Sequence, residues 1–131
     1  MDQGSGIIRK VSFTTASVHD SQERDNLISG DERSVFADKA YGTDDLKRKY
    51  RKEGKYYGIL DKGRRNRSLS NKQKKSNKQK SKIRNVVEHP FGYFKTRCNY
   101  LRTQYMNISR NELHFTFLCI IHNVRRGIAL N

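Results

Sequence analysis

The residues best suited to chemistry lie in one stretch, Ser81 to Arg97, which reads SKIRNVVEHPFGYFKTR. Its one acid, Glu88, has Arg84 four residues before it and Lys95 seven after it. Those offsets would put all three on one face of a continuous helix. A carboxylate among cations stays ionised and can hold a divalent metal, while the cations suit phosphate. A second acid, Asp38, closes the short apolar run Ser34-Val35-Phe36-Ala37. Open α/β sheets place ligand-binding residues at the carboxyl ends of strands, so Asp38 is a candidate metal ligand. A plain turn residue is the alternative. Together the two acids point to metal-assisted chemistry on nucleic acid.

Composition supports a polyanionic partner. The 131 residues carry 28 Lys and Arg against 13 Asp and Glu, a formal net charge of +15. Such a surplus most often meets nucleic acid, although a generic basic protein would share it. Hydrophobic residues make up 34%, enough for one domain with a thin core. Cys98 and Cys119 show no metal-binding or disulfide spacing, which fits a reducing compartment. No apolar run approaches a membrane span, so a cytoplasmic protein with no membrane partner is expected.

The elements that must position these residues follow from local patterns. Asp2 to Gly6 is a turn signal, and Ile7 to Thr15 reads as a strand. A turn before a strand normally joins it to an earlier strand, and the chain carries none. Asp20 and Glu23 have capping-box spacing for a short helix from Ser21 to about Ser29, stopped by Gly30. His19 beside Asp20 is a loop histidine, more often structural or solvated than a substrate contact. Thr43 is an N-cap, with Asp44 and Asp45 favouring the helix dipole, Leu46 and Tyr50 facing inward, and Gly54 ending the helix. Tyr56 to Leu60 suggests another strand.

From Arg64 to Arg84 there are ten Lys and Arg and no acid. That run reads as a solvated, flexible arm over about residues 62–82 that tracks phosphates and leads into the Glu88 helix. Pro90 predicts a kink or break just after Glu88. The last helix is expected to start at a Ser109/Glu112 capping box with an Ile108/Leu113 staple. Its expected buried stripe is Leu113, Phe117, Ile120, Ile121, Val124 and Ile128, with Gly127 ending it. Cys119 and His122 on this helix read as core and rim residues.

Several of these motifs resemble the DDE transposases of bacterial insertion sequences, in the group numbered four and five. Ala16-Ser17-Val18-His19-Asp20-Ser21 resembles that family's loop after its third strand. Ala37-Asp38-Lys39-Ala40-Tyr41-Gly42 is similar to the segment with its second catalytic Asp. Arg84, Glu88 and Lys95 resemble the Arg, Glu and Lys of its Tyr-Arg-Glu-Lys signature, with Ser81 where the Tyr would stand. Val87-Glu88-His89-Pro90-Phe91-Gly92 is similar to a common variant, which accommodates Pro90.

The resemblance implies a partial α/β, RNase H-like fold, a mixed sheet lacking its first strands, with C-terminal helices. It implies that Asp38 and Glu88 are catalytic and metal ligands for Mg2+ or Mn2+, in a site that holds two metals in the intact family member. It implies DNA partners, both transposon ends and target, with contacts from Arg84, Lys95, Lys39, Arg64, Arg65, Lys74, Lys75 and Lys82. The first carboxylate has no counterpart, since Asp2 lies in the turn before the third strand. Residues 1–131 are therefore expected to be the C-terminal part of a transposase catalytic domain, truncated or internally started. Such a piece is expected to be inactive alone and to fold poorly, with an exposed sheet edge. The alternatives are a non-catalytic basic DNA-binding protein, or a regulator that binds full-length transposase. A homodimer is a further expected partner.

Overall fold

The computed structural model describes the chain apart from Ala16, His19, Asp20, Ser21 and Arg64. The chain divides into two compact units, His19–Asn85 and Met1–Val18 with Val86–Asn131. Each is taken by itself.

The first unit is built on a parallel strand pair. β1 (Ser34–Val35) pairs with β2 (Tyr56–Tyr57), Ser34 opposite Tyr56 and Val35 opposite Tyr57. The ladder extends past both strands. Tyr56, Gly58 and Leu60 N–H groups donate to the Arg33, Val35 and Ala37 carbonyls at 2.9, 2.8 and 3.3 Å. Parallel neighbours need a crossover, and helix α2 (Asp44–Lys52) supplies it. Its signals are local and all are used. Thr43 caps it by accepting from Leu46 N, Asp44 and Asp45 fill the first turn, and Leu46 and Tyr50 are buried. Gly54, at φ +66°, lets Lys55 N–H return to the Tyr50 carbonyl (2.9 Å), which closes the helix. Leu46, Tyr50 and Ile59 form the core, flanked by Ile28, Val35, Ala37, Tyr41 and Tyr57. Before β1, helix α1 is one turn, Arg24–Leu27, shorter than its predicted span. Its N-cap is Glu23, without a side-chain bond. The predicted cap Asp20 lies outside the described residues.

The predicted flexible arm is largely a helix. α3 runs Asn71–Arg84, fourteen residues. Ser70 and Gln73 make a reciprocal capping box, Ser70 N donating to Gln73 Oε1 (2.9 Å) and Gln73 N to Ser70 Oγ (3.2 Å). Charge density argued for disorder, but Lys, Gln and Arg are good helix formers and residues 64–84 hold no Gly or Pro. Tertiary anchors complete it. Asn77 accepts from Asp61 N (2.9 Å) and donates to Asp61 O (3.0 Å), and Lys80 Nζ donates to Ile59 O (3.0 Å).

The second unit holds two helices and the first residues of the chain. A 3-10 turn, Asn85–Val87, separates α3 from α4 (Glu88–Arg97), so the break falls before Glu88 rather than after it. Pro90 is buried at the third position of α4, where its missing N–H would have had no intrahelical partner. α4 ends with Asn99 at φ +53° and Tyr100 N–H returning to the Phe94 carbonyl (2.9 Å).

α5 spans Ile108–Leu130 and continues through Gly127. Its cap is Asn107, accepting from Ser109 N at 2.8 Å, rather than Ser109. Buried Asn111 clips the preceding loop to the helix: Oδ1 accepts from Gln104 N (3.1 Å) and Tyr105 N (3.0 Å), and Nδ2 donates to the Tyr105 and Asn107 carbonyls. Phe94, Leu118 and Cys119 form the core, with Ile8, Tyr93, Cys98, Tyr100 and Phe115 around it. Cys119 and His122 are core residues, as the sequence suggests. Burial pushes the Cys119 thiol up.

Two expectations fail here. The buried face of α5 carries Asn111, Leu118, Cys119 and His122, while the predicted stripe from Leu113 to Ile128 is between 47% and 73% exposed. The covered face includes polar Asn111 and His122, which find hydrogen-bond partners in the unit, so apolar periodicity alone points to the other side. The predicted strand Ile7–Thr15 is not a strand. The Asp2–Gly6 turn does form, with Gly6 N donating to Asp2 O (3.0 Å). Side chains of α5 bond backbone groups of the turn and of Ile8. Arg126 Nη2 donates to Ser5 O (2.8 Å), His122 Nε2 bonds Gly6 O (3.0 Å), and Asn123 bonds both Ile8 N (2.8 Å) and Ile8 O (2.9 Å).

Candidate functional site

Asp38 stands where a parallel sheet presents ligands. It follows Ala37, the last ladder acceptor of its strand. It then caps a 3-10 turn, Lys39–Tyr41, its Oδ1 accepting from Lys39 N at 2.7 Å. That bond orients the carboxylate without neutralising it. Among the described residues no cation closes an ion pair with it. Close packing fixes the turn that follows: a Cβ on Gly42 would lie 2.8 Å from the Tyr57 hydroxyl.

Asp61 leaves the neighbouring strand just past Leu60, whose N–H bonds Ala37 O. Its surroundings differ. Lys47 Nζ lies 3.1 Å from Oδ1 and Lys80 Nζ 3.4 Å from Oδ2. Lys80 is 7% exposed and also sits 5.7 Å from the Tyr57 ring centroid. Burial would raise the Asp61 carboxyl, but the Lys47 hydrogen bond and the Lys80 charge outweigh it and hold the group below the usual carboxylate range. Burial, followed by the Asp61 and Asp44 charges, pushes the Tyr57 phenol up. Sequence reasoning missed this clasp. The Ser70/Gln73 capping box was the signal that could have placed Lys80 on a helix.

The basic residues are mostly presented to solvent. Lys74, Lys75 and Lys82 on α3 are exposed, as are Lys39 and Arg65, and Arg84 is half-buried. Arg64 lies outside the described residues. Arg84 is the last residue of α3, so it does not share a continuous helix with Glu88. Glu88 opens α4, where its charge suits the positive end of the helix dipole. Lys95 lies two turns on along the same helix and is exposed. Asp38 and Glu88 belong to different units. Among the described residues, no three His, Cys, Asp or Glu gather as a metal cluster. The shallow depression lined by Asn99, Leu101, Arg102, Thr103 and Gln104 touches neither acid. No helix among the described residues is long and apolar enough to cross a membrane.

Comparison with known proteins supplies the lineage. The chain is similar to the transposase for insertion sequence element IS1106 of Neisseria meningitidis serogroup B, at 29% identity over 119 residues. The match covers 88% of this chain and 41% of that protein, so the chain spans about two fifths of its relative's length. No solved structure matches. The family profile described as "Transposase DDE domain" matches residues 1–124, nearly the whole chain, and the chain belongs to that transposase family.

Proposed function

We propose that this chain is the part of an insertion-sequence transposase that carries the second and third carboxylates of a DDE site, Asp38 and Glu88. The supporting observation is the Asp38 carboxylate, oriented by one backbone N–H at the end of a parallel strand and left un-neutralised while neighbouring Asp61 is paired twice. In an RNase H-like arrangement Asp38 and Glu88 would hold Mg2+ or Mn2+, which supplies charge stabilisation for phosphodiester cleavage and strand transfer. Lys39, Arg84 and Lys95 hold the scissile-strand phosphates near the acids. Arg64, Arg65, Lys74, Lys75 and Lys82 track the backbone of transposon-end or target DNA further out. The first carboxylate of the set has no counterpart among these residues, so by themselves they are expected to cut DNA little or not at all.

The test is Mn2+-induced broadening of backbone amide signals. A shared site broadens signals around both Lys39 and His89, and Asp38→Asn or Glu88→Gln abolishes both effects. Broadening confined to one acid rules the shared site out. Robust Mn2+-dependent cutting of end-containing DNA, lost in Glu88→Gln, would overturn the inactivity. A second reading, a non-catalytic basic DNA-binding protein, is favoured by the exposed α3 lysines. It predicts salt-dependent DNA binding with no metal response at either acid.

A further inference from the structure

α5 covers one side and exposes a broad apolar side roughly opposite to it. Asn111, Leu118, Cys119 and His122 face the core of their unit. On the other side Leu113, Phe117, Ile120, Ile121, Val124 and Ile128 are 57%, 55%, 50%, 47%, 58% and 73% exposed. At 3.6 residues per turn these six form one continuous stripe without a charged member. Large exposed apolar patches mark interaction surfaces.

We infer that this stripe is a docking surface for the rest of a transposase chain, supplied by a full-length family member. The inference rests on the transposase reading above and names a partner for it. Length supports that occupant: the IS1106 relative has 59% of its length outside the match, since 100 − 41 = 59. The chemistry of the stripe supports it too, because large aliphatic and aromatic side chains without charge resemble a domain core cut in half. Charge argues against a second copy. Each copy carries +15, so pairing two opposes the apolar gain with mutual repulsion.

The experiment co-expresses the untagged chain with tagged full-length IS1106 transposase from Neisseria meningitidis, without added DNA or metal. The chain is expected to be retained with the tagged protein in near-equal amount. The Phe117→Asp/Ile121→Asp double variant should lose retention by at least about tenfold. Helicity by circular dichroism checks that the variant folds, and Phe117→Ser/Ile121→Thr serves where the aspartates prevent folding. Asp38→Asn should be retained like the unaltered chain, so a failed catalytic reading leaves this result standing. No retention, or equal retention of the double variants, overturns the inference. So does a homodimer in analytical ultracentrifugation that the double variants abolish, because the occupant would then be a second copy.

Discussion

Asp38 and Asp61 leave neighbouring strands beside the same ladder bond, Leu60 N to Ala37 O, yet they do opposite work. Asp61 is sealed by Lys47 and Lys80, and Asn77 grips its backbone on both sides. Among the described residues, Asp38 has one backbone N–H on its side chain and no ion pair. Residue type and strand end are shared. The difference is made by lysines fourteen and nineteen residues along the chain from Asp61. A strand-end carboxylate is therefore only a nominee until the fold shows whether a cation has claimed it.

The largest expected effect comes from removing the claimed acid. Asp61→Ala leaves the buried Lys80 ammonium without its counter-charge, with the Ile59 carbonyl still accepting from it, and should cost about 3 kcal/mol in urea unfolding. A change below about 1 kcal/mol would mean the clasp is not structural, and the contrast with Asp38 would dissolve. Next is Gly58, which continues the ladder just past β2. A Cβ on Gly58 would sit 2.7 Å from Val35 O and against the Phe36 ring, so Gly58→Ala should cost about 1–3 kcal/mol. Because the same ladder sets both acids, that variant should also loosen α3, read as faster amide exchange at Asn77 and Lys80.

A smaller effect is a pH slope. The folded Asp61 carboxyl ionises below its ordinary value of 3.8, so the unfolded chain binds the extra proton. Its contribution is fully present above that value and is lost as pH falls through the folded pKa. Unfolding measured at about pH 6 and about pH 3 should show a shallower loss in Asp61→Asn than in the unaltered chain. Glu32 shifts in the same direction: burial opposes ionisation, but bonds from the Ser29 and Gly30 N–H groups outweigh it. Some slope should therefore survive the substitution. The smallest effect belongs to Asp38→Asn, which keeps an acceptor for Lys39 N and should change stability by less than about 0.5 kcal/mol. A large loss there would show Asp38 to be a structural cap first.

Legibility in the sequence followed the range of the forces. α2 could be read whole, because Thr43, Asp44, Asp45, Leu46, Tyr50 and Gly54 act within a few residues of one another. Asp38 could be nominated because an apolar run ended on it. α3 was obscured by its charge, since its docking depends on Asp61 and Ile59 and on no apolar periodicity of its own. The face of α5 was misassigned because its covered side includes polar Asn111 and His122, which bond the loop before α5 and the first residues of the chain. The Ile7–Thr15 segment has strand composition, but a strand also needs a neighbour, and at Ile8 the side chain of Asn123 takes both backbone groups.

The buried end of Lys80 has a practical consequence. Salt screens exposed charges strongly and buried pairs weakly, so the α3 lysines should release a polyanion at ionic strengths that leave the Lys80–Asp61 contact closed. A heparin column eluted with a salt gradient should thus return the protein with this helix still formed, ready to bind again.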